Sequence, residues 1–355
     1  MNSKVNLLSY THHSFCNFIA AELGKGYLHA GLIYEEFYRT GAVSGHHPAF
    51  HNASKLLREI LLRVDLSLPV VPVEKDDGET KKFLLKTQDD LEVEAVLIPM
   101  QAGGTLCISS QVGCRRGCTF CETGRMGLLR NLKVEEIIGQ VFVVRHVLRY
   151  PIRNIVFMGM GEPFDNYENV RQATHILMDP KGLGFGRNHL TISTSGVIEG
   201  IHKFTHSPGP KPHLAVSINA PTDEIRQRLM PINRKHDMQQ LYQAMREYNE
   251  VTGLKILTAY VLIKDVNDSL EHAERLADYL KGLHVKINLI PYNPQTGDRF
   301  ARPAEETVKA FRQHLRLQGY QTLLRATKGK DIMAACGQLG NIKLRAQLKK
   351  NLEAV

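Results

Sequence analysis

The chain has 355 residues, 43% of them hydrophobic and 23% charged, ordinary values for a globular protein. It has no run of the ~18 apolar residues that a membrane span needs, and residues 1–10 lack the basic-then-apolar order of a secretory signal. Secreted, fibrous, disordered and integral-membrane classes are therefore excluded and a cytoplasmic protein is expected. Lys and Arg number 45 against 36 acids, a net charge of +9, which suits a polyanionic partner, nucleic acid first.

Residues 1–75 read as mostly helical, closing on an amphipathic segment that begins near Ala53. His46, His47 and His51 read as an exposed turn, and Cys16 as a buried thiol in a helix. Pro69, Pro72 and the acidic stretch around Asp76-Asp77-Gly78 mark a boundary. The runs 82–86 and 91–98 flank Gln88-Asp89-Asp90 and predict a β-hairpin within a linking extension, residues 76–104. From 105 onward strands and helices alternate, with strands expected over 106–109, 154–158, 190–193, 213–218, 256–262 and 285–290, and helices over 134–148 and 238–252. Several of these strands carry little polar–apolar alternation, as expected for parallel strands buried on both faces. Six such units are too few for a closed eightfold barrel. They predict an α/β fold, an open, partial (β/α)6 barrel over 105–325. Residues 326–355 form a C-terminal segment, and 343–355 read as a short basic helix or a frayed end.

Of six cysteines, three crowd into Cys114-Arg115-Arg116-Gly117-Cys118-Thr119-Phe120-Cys121. Clustered thiols in an intracellular chain point to metal binding or redox chemistry rather than disulfides. Structural zinc usually takes four ligands in two pairs, and no second pair stands out. Three thiolates suit a [4Fe-4S] cluster whose fourth iron stays open to another ligand, with a zinc site or a redox-inert cluster as the alternatives. The C-x-x-x-C-x-x-C spacing, with an aromatic before the third Cys, resembles the radical S-adenosylmethionine superfamily. There the cofactor chelates the open iron and yields a 5′-deoxyadenosyl radical. Gly159-Met160-Gly161-Glu162-Pro163 follows a strand. It resembles the loop that, in that superfamily, meets the cofactor's methionyl amino group.

Further motifs narrow the match. The segment from Thr105 to Cys114, Arg130-Asn131-Leu132, Ser193-Thr194-Ser195-Gly196, Arg228-Leu229-Met230-Pro231-Ile232-Asn233 and Ala334-Ala335-Cys336-Gly337-Gln338-Leu339 all resemble the RlmN/Cfr family of radical S-adenosylmethionine RNA (adenine) methyltransferases. The likeness runs from about residue 94 to 339, and the helical N-terminus resembles that family's RNA-contacting accessory domain more loosely. The resemblance implies that Cys114, Cys118 and Cys121 ligate the cluster. It implies that Gly161, Glu162, Ser193, Ser217, Ile218, Asn219 and Asn293 line the S-adenosylmethionine site. Cys336 would carry the methyl group, Cys107 would later attack its sulfur to form a transient disulfide, and Glu94 or Cys107 would accept the ring proton. The implied partners are 23S rRNA, with tRNA as a further substrate, and a one-electron donor such as flavodoxin or ferredoxin; no membrane is involved and a monomer is expected. Departures from the family pattern are Asn219, where His is common, Glu122 after the third Cys, and the basic pair Arg115-Arg116.

The chemistry explains why such residues are needed. Adenine C2 is electrophilic and does not attack a sulfonium methyl as an amine would, so a radical route is required. A thiolate at Cys336 is a competent nucleophile for the first methyl transfer, and thiol exchange at sulfur can release the product. The expected function is methylation of adenosine C2, using two S-adenosylmethionine molecules per turnover. The alternatives are methylation at C8, as in the Cfr branch, and a non-catalytic iron–sulfur RNA-binding module. Arg58, Arg63, Arg125, Arg130, Lys133, Lys349 and Lys350 are candidate phosphate contacts.

Overall fold

The computed structural model describes residues 4–100, 103–295, 298–325, 328–329 and 331–340. The expectation for 343–355, and Lys349 and Lys350 with it, lies outside the described residues.

The N-terminal part is helical, as its composition predicts. Helices α1 (His12–Leu23), α2 (Tyr27–Thr40) and α3 (Ser54–Leu61) are tied off by a short parallel pair, β1 (Val5–Asn6) with β2 (Val64–Asp65). Thr11 and Ser14 form a capping box at the start of α1, and Gly24 ends it in the left-handed conformation. Cys16 is fully buried in α1, and burial pushes its thiol up to about 11. His47 accepts from the Ala49 N–H at 3.2 Å at the turn that the histidine run was expected to form.

Ten strands form the main sheet. Strands β3 (Val70–Asp76), β4 (Lys81–Lys86) and β5 (Glu92–Ile98) run antiparallel to their neighbours, and β5 pairs antiparallel with β6 (Gly104–Cys107). From β6 the sheet is parallel: β9 (Ile152–Phe157), β10 (Leu190–Thr194), β11 (His213–Ser217), β12 (Ile256–Leu262), β13 (Val285–Pro291) and β14 (Thr322–Leu324) follow in spatial order. The expected hairpin thus continues the barrel sheet. The six expected parallel strands all form, and the three-residue β14 extends the row. The boundary that Pro69, Pro72 and the acidic stretch suggest is instead strand β3, a largely exposed edge strand with an irregular register near Val70, where proline is tolerated.

A separate antiparallel hairpin, β7 (Gln111–Cys114) with β8 (Gly127–Asn131), flanks the short helix α4 (Glu122–Met126). Helices α5 (Val134–Phe142), α6 (Tyr167–Met178), α7 (Ile198–His206), α8 (Asp223–Leu229), α9 (Met238–Thr252), α10 (Leu270–Tyr279) and α11 (Glu305–Leu317) alternate with the parallel strands. Their apolar stripes, such as Leu241, Met245 and Tyr248 of α9, are buried. At roughly 1.5–3 kcal/mol per fully buried large apolar side chain, this layer is the main stabilising term. The N-terminal helices dock on α5, where Phe37 stacks on Phe142 with ring centroids 4.5 Å apart. Among the described residues no helix is long and apolar enough to cross a membrane.

Candidate active site

Parallel α/β sheets present their ligand crevices at the carboxyl ends of the strands. Here the loops after β6, β9, β10, β11 and β13 enclose two adjoining cavities, of about 190 Å³ and about 510 Å³.

The smaller cavity is lined by Cys114, Cys118 and Cys121 together with Gly161, Glu162, Ser193, Ser217, Asn219, Asn293 and Cys336. Hairpin geometry aims Cys114. Gly113 has φ +77°, and a Cβ there would collide with the carbonyl oxygen of Gly127, so only glycine lets β7 and β8 close around that turn. Cys121 caps α4, with its N–H bonded to Cys118 O at 3.1 Å. Burial pushes the Cys114 thiol up to about 12 and raises Cys118 and Cys121 as well; neighbouring thiols raise Cys114 and Cys118 further, and Glu122 raises Cys121. A cationic cluster would offset that cost by taking the three as thiolates, releasing protons on binding. Among the described residues no three Cys, His, Asp or Glu side chains converge on a single metal ion, as a mononuclear zinc site requires. Three thiols spread around one cavity instead fit a cluster in which each binds a different iron.

Glu162 is buried with its carboxylate facing the same space. Oε1 accepts from the Phe164 N–H at 3.0 Å, and Oε2 from the Ser195 N–H at 2.7 Å and its hydroxyl at 2.8 Å. Burial raises its pKa and these donors oppose the rise. The Thr194 side chain is a further donor to this carboxylate, whose negative charge still favours a cationic group in the cavity. Gly161, at φ +104°, passes so close to β7 that a Cβ would stand 2.8 Å from the Gln111 nitrogen.

Two of the expected residues lie apart from the cavities. Ile218 is wholly buried, and only its backbone takes part, its carbonyl accepting from Arg226 Nε at 3.2 Å. Glu94 lines neither cavity: Oε1 pairs with Lys82 Nζ at 2.7 Å and Oε2 accepts from the Gly340 N–H at 2.9 Å. Asn219 does line the site, in the left-handed region at φ +57°, but its Oδ1 is engaged by the Val261 N–H at 2.9 Å.

Cys107 and Cys336, 229 positions apart in sequence, both line the larger cavity. They are free thiols here. Burial, and then the neighbouring Cys336, push Cys107 up to about 12. The Cys336 segment is stapled to the cluster loop and the β13 loop. The Glu122 N–H donates to Gly337 O at 2.8 Å, as does Gln295 Nε2 at 2.8 Å, and Asn293 Nδ2 reaches Cys336 O at 3.3 Å.

Sequence reasoning passed over several residues that line the cavities or brace their walls. Ser195 holds Glu162. Arg325, directly after β14, faces both cavities and stands beside Cys107 and Cys336. Arg226 is almost wholly buried and bridges strand ends, its Nη2 donating to Ser195 O at 2.7 Å and Ser217 O at 3.2 Å. No motif marks Arg226 or Arg325, whose contacts with Ser195 and Cys107 join separate parts of the chain. Ser195 alone carried a signal, within the Ser193–Gly196 motif.

Two candidate phosphate contacts are otherwise engaged. Arg125 donates to Gln295 Oε1 at 2.7 Å and Asp298 Oδ1 at 2.8 Å, and Arg130 is held between Asp89 and Glu136. The basic Arg115-Arg116 pair faces Asp165, which accepts from Arg116 Nε at 2.7 Å. Glu122 stands 3.6 Å from Arg125 Nη1.

Residues 108–280 match the model of the radical SAM superfamily. The chain is 56% identical over 341 residues to a probable dual-specificity RNA methyltransferase RlmN 1 of Protochlamydia amoebophila, covering 96% of this chain and 95% of that protein. It is 40% identical to the dual-specificity RNA methyltransferase RlmN of Bdellovibrio bacteriovorus, over 98% of this chain and 86% of the relative. Among solved structures, a radical SAM methyltransferase from Sphaerobacter thermophilus superposes with a TM-score of 0.86 at 39% identity, covering 94% of this chain and 99% of that one.

Proposed function

Because the chain belongs to the RlmN family of radical S-adenosylmethionine RNA methyltransferases, we propose that it methylates C2 of an adenosine in 23S rRNA, with tRNA as a second substrate class, by way of a methyl group carried on Cys336. Family membership makes it an enzyme that uses a [4Fe-4S] cluster and S-adenosylmethionine and acts on RNA. The methylated position, the carrier route and a one-electron donor such as flavodoxin or ferredoxin belong to the proposal.

One observation carries the reading. Cys336 lies in the shared wall of the two cavities, facing the cluster thiols on one side and Cys107 on the other. When bound, the cluster and S-adenosylmethionine supply a 5′-deoxyadenosyl radical, chemistry that belongs to the cofactors. The chain's work is placement. Cys114, Cys118 and Cys121 would hold the cluster, and Glu162 would take the methionyl ammonium. Cys336 sulfur would receive a methyl group and later bear the bond to the nucleobase, and Cys107 would attack that sulfur to release the product. Of the two candidate proton acceptors, Cys107 borders the larger cavity, whereas both oxygens of Glu94 are engaged elsewhere. The adenine must leave its stack to reach this depth.

Anaerobic turnover with methyl-labelled S-adenosylmethionine and 23S rRNA or tRNA fragments, followed by mass spectrometry of the nucleosides, tests the reading. Labelled 2-methyladenosine is expected. Labelled 8-methyladenosine would move the activity to the C8 alternative. Intact-mass analysis that never finds a methyl group or RNA on Cys336 would end the carrier route.

A further inference from the structure

Lys82 and Glu94 are a buried ion pair that the reaction outlined above does not use. Their side chains are only 8% and 7% exposed. They stand diagonally on adjacent antiparallel strands, since Lys82 is opposite Val96 and Glu94 is opposite Leu84. Both reach the segment that bears Cys336. Lys82 Nζ donates to Met333 O at 3.1 Å, three residues before the thiol, and Glu94 Oε2 accepts from the Gly340 N–H at 2.9 Å, four residues after it. Met333 is a non-glycine residue in the left-handed region, at φ +54°, a conformation that surrounding contacts must hold in place. The Glu94 carbonyl also accepts from Ser109 Oγ at 2.6 Å, and that hydroxyl accepts from the Met160 N–H at 2.8 Å. The pair is thereby connected to the Gly159–Pro163 loop.

We propose that Lys82 and Glu94 form a two-point clasp that fixes the Cys336 segment at both ends, and that Glu94 is a positioning residue for the sulfur rather than a group that meets the substrate. The consequence for turnover rests on the carrier role of Cys336; the clasp itself does not. A buried pair is weak evidence of stability, because desolvation opposes its attraction, and setting the geometry of a neighbouring segment is a better reason for its presence. Radical transfer makes such placement matter, since a displacement of about 1 Å at the reacting atom can cost about 100-fold in rate.

The test uses the cluster-loaded full chain and three variants: Lys82→Met, Glu94→Gln, and the double variant, which leaves no unpaired buried charge if the single variants fail to fold. Hydrogen–deuterium exchange of the peptide spanning 333–340 is read against helix α9. The clasp predicts about tenfold faster exchange in that peptide with α9 unchanged, as expected when a locally held segment opens. A second readout is the amount of 5′-deoxyadenosine formed per methyl group delivered to RNA, which the clasp predicts will rise in Lys82→Met. If the pair did not hold the segment, Lys82→Met would leave exchange over 333–340 as in the wild type. Exchange within about twofold of wild type in every folded variant overturns the clasp. Faster exchange without any methyl on Cys336 would uphold the clasp and overturn the carrier reading instead.

Discussion

Cys336, Cys121 and Arg325 each face both cavities, and with Cys121 assigned to the cluster as proposed, Cys336 is the remaining thiol of the three. Cys336→Ala should therefore abolish methyl transfer to RNA while iron and sulfide content stay at wild-type levels. Cys107→Ala should let the sulfur–nucleobase bond form but not resolve, so a covalent protein–RNA species should accumulate on denaturing gels. The pH dependence of Cys107 follows from its burial. Its thiol lies near 12 rather than in the ordinary range, so the neutral form is favoured in the folded protein. Alkylation at Cys107 should keep rising about tenfold per pH unit from pH 7 to 11, whereas a free cysteine levels off near pH 9; peptide mass spectrometry after timed iodoacetamide pulses measures this. At this scale the Cys114, Cys118 and Cys121 spacing was legible because all three sit within one loop. The approach of Arg325 to Cys107 and the bond of Glu94 to Gly340 were not, because each joins distant parts of the chain.

The β7–β8 hairpin is the element that aims the first cluster thiol. Gly113→Ala would force a Cβ into the Gly127 carbonyl at a positive φ. We expect a loss of about 2–4 kcal/mol and a fall in bound iron, read by thermal melting and by iron analysis, while the far-UV circular dichroism of the barrel helices is retained. The six parallel strands were legible from their apolar residues, which form a short buried run in β11 and alternate with half-buried positions along β12 and at the start of β13. Strand β14 escaped notice because three residues carry no period. Strand β3 did so because Pro72 and mostly exposed side chains look like a linker, although pairing with β4 makes it a strand.

Across the whole molecule, the +9 net charge suits a polyanionic substrate, and the structure sorts the candidate cations. Arg58 and Lys133 are exposed, whereas Arg125 and Arg130 are held by acids or amides within the fold. RNA affinity should fall steeply with salt, by about 10³-fold between 50 and 200 mM if about six phosphates are contacted. Arg58→Ala should lower the slope of log K against log salt by about 1. Arg130→Ala should leave that slope unchanged and lower the melting temperature instead. Filter binding across a salt series checks both.

The amino-acid order alone determined the class of chemistry and the run of the barrel. The cluster motif, the Gly159–Pro163 loop and the strand periods are local patterns, fixed by backbone geometry within a few residues. Only the tertiary structure decided which distant groups meet. It brought Cys336 to Cys107, set Arg325 beside them, and turned Glu94 away from the cavity toward Lys82 and Gly340. The contacts of Lys82, Glu94 and Cys107 arise from packing interior strands of the sheet against a C-terminal segment far along the chain, and no local spacing encodes them.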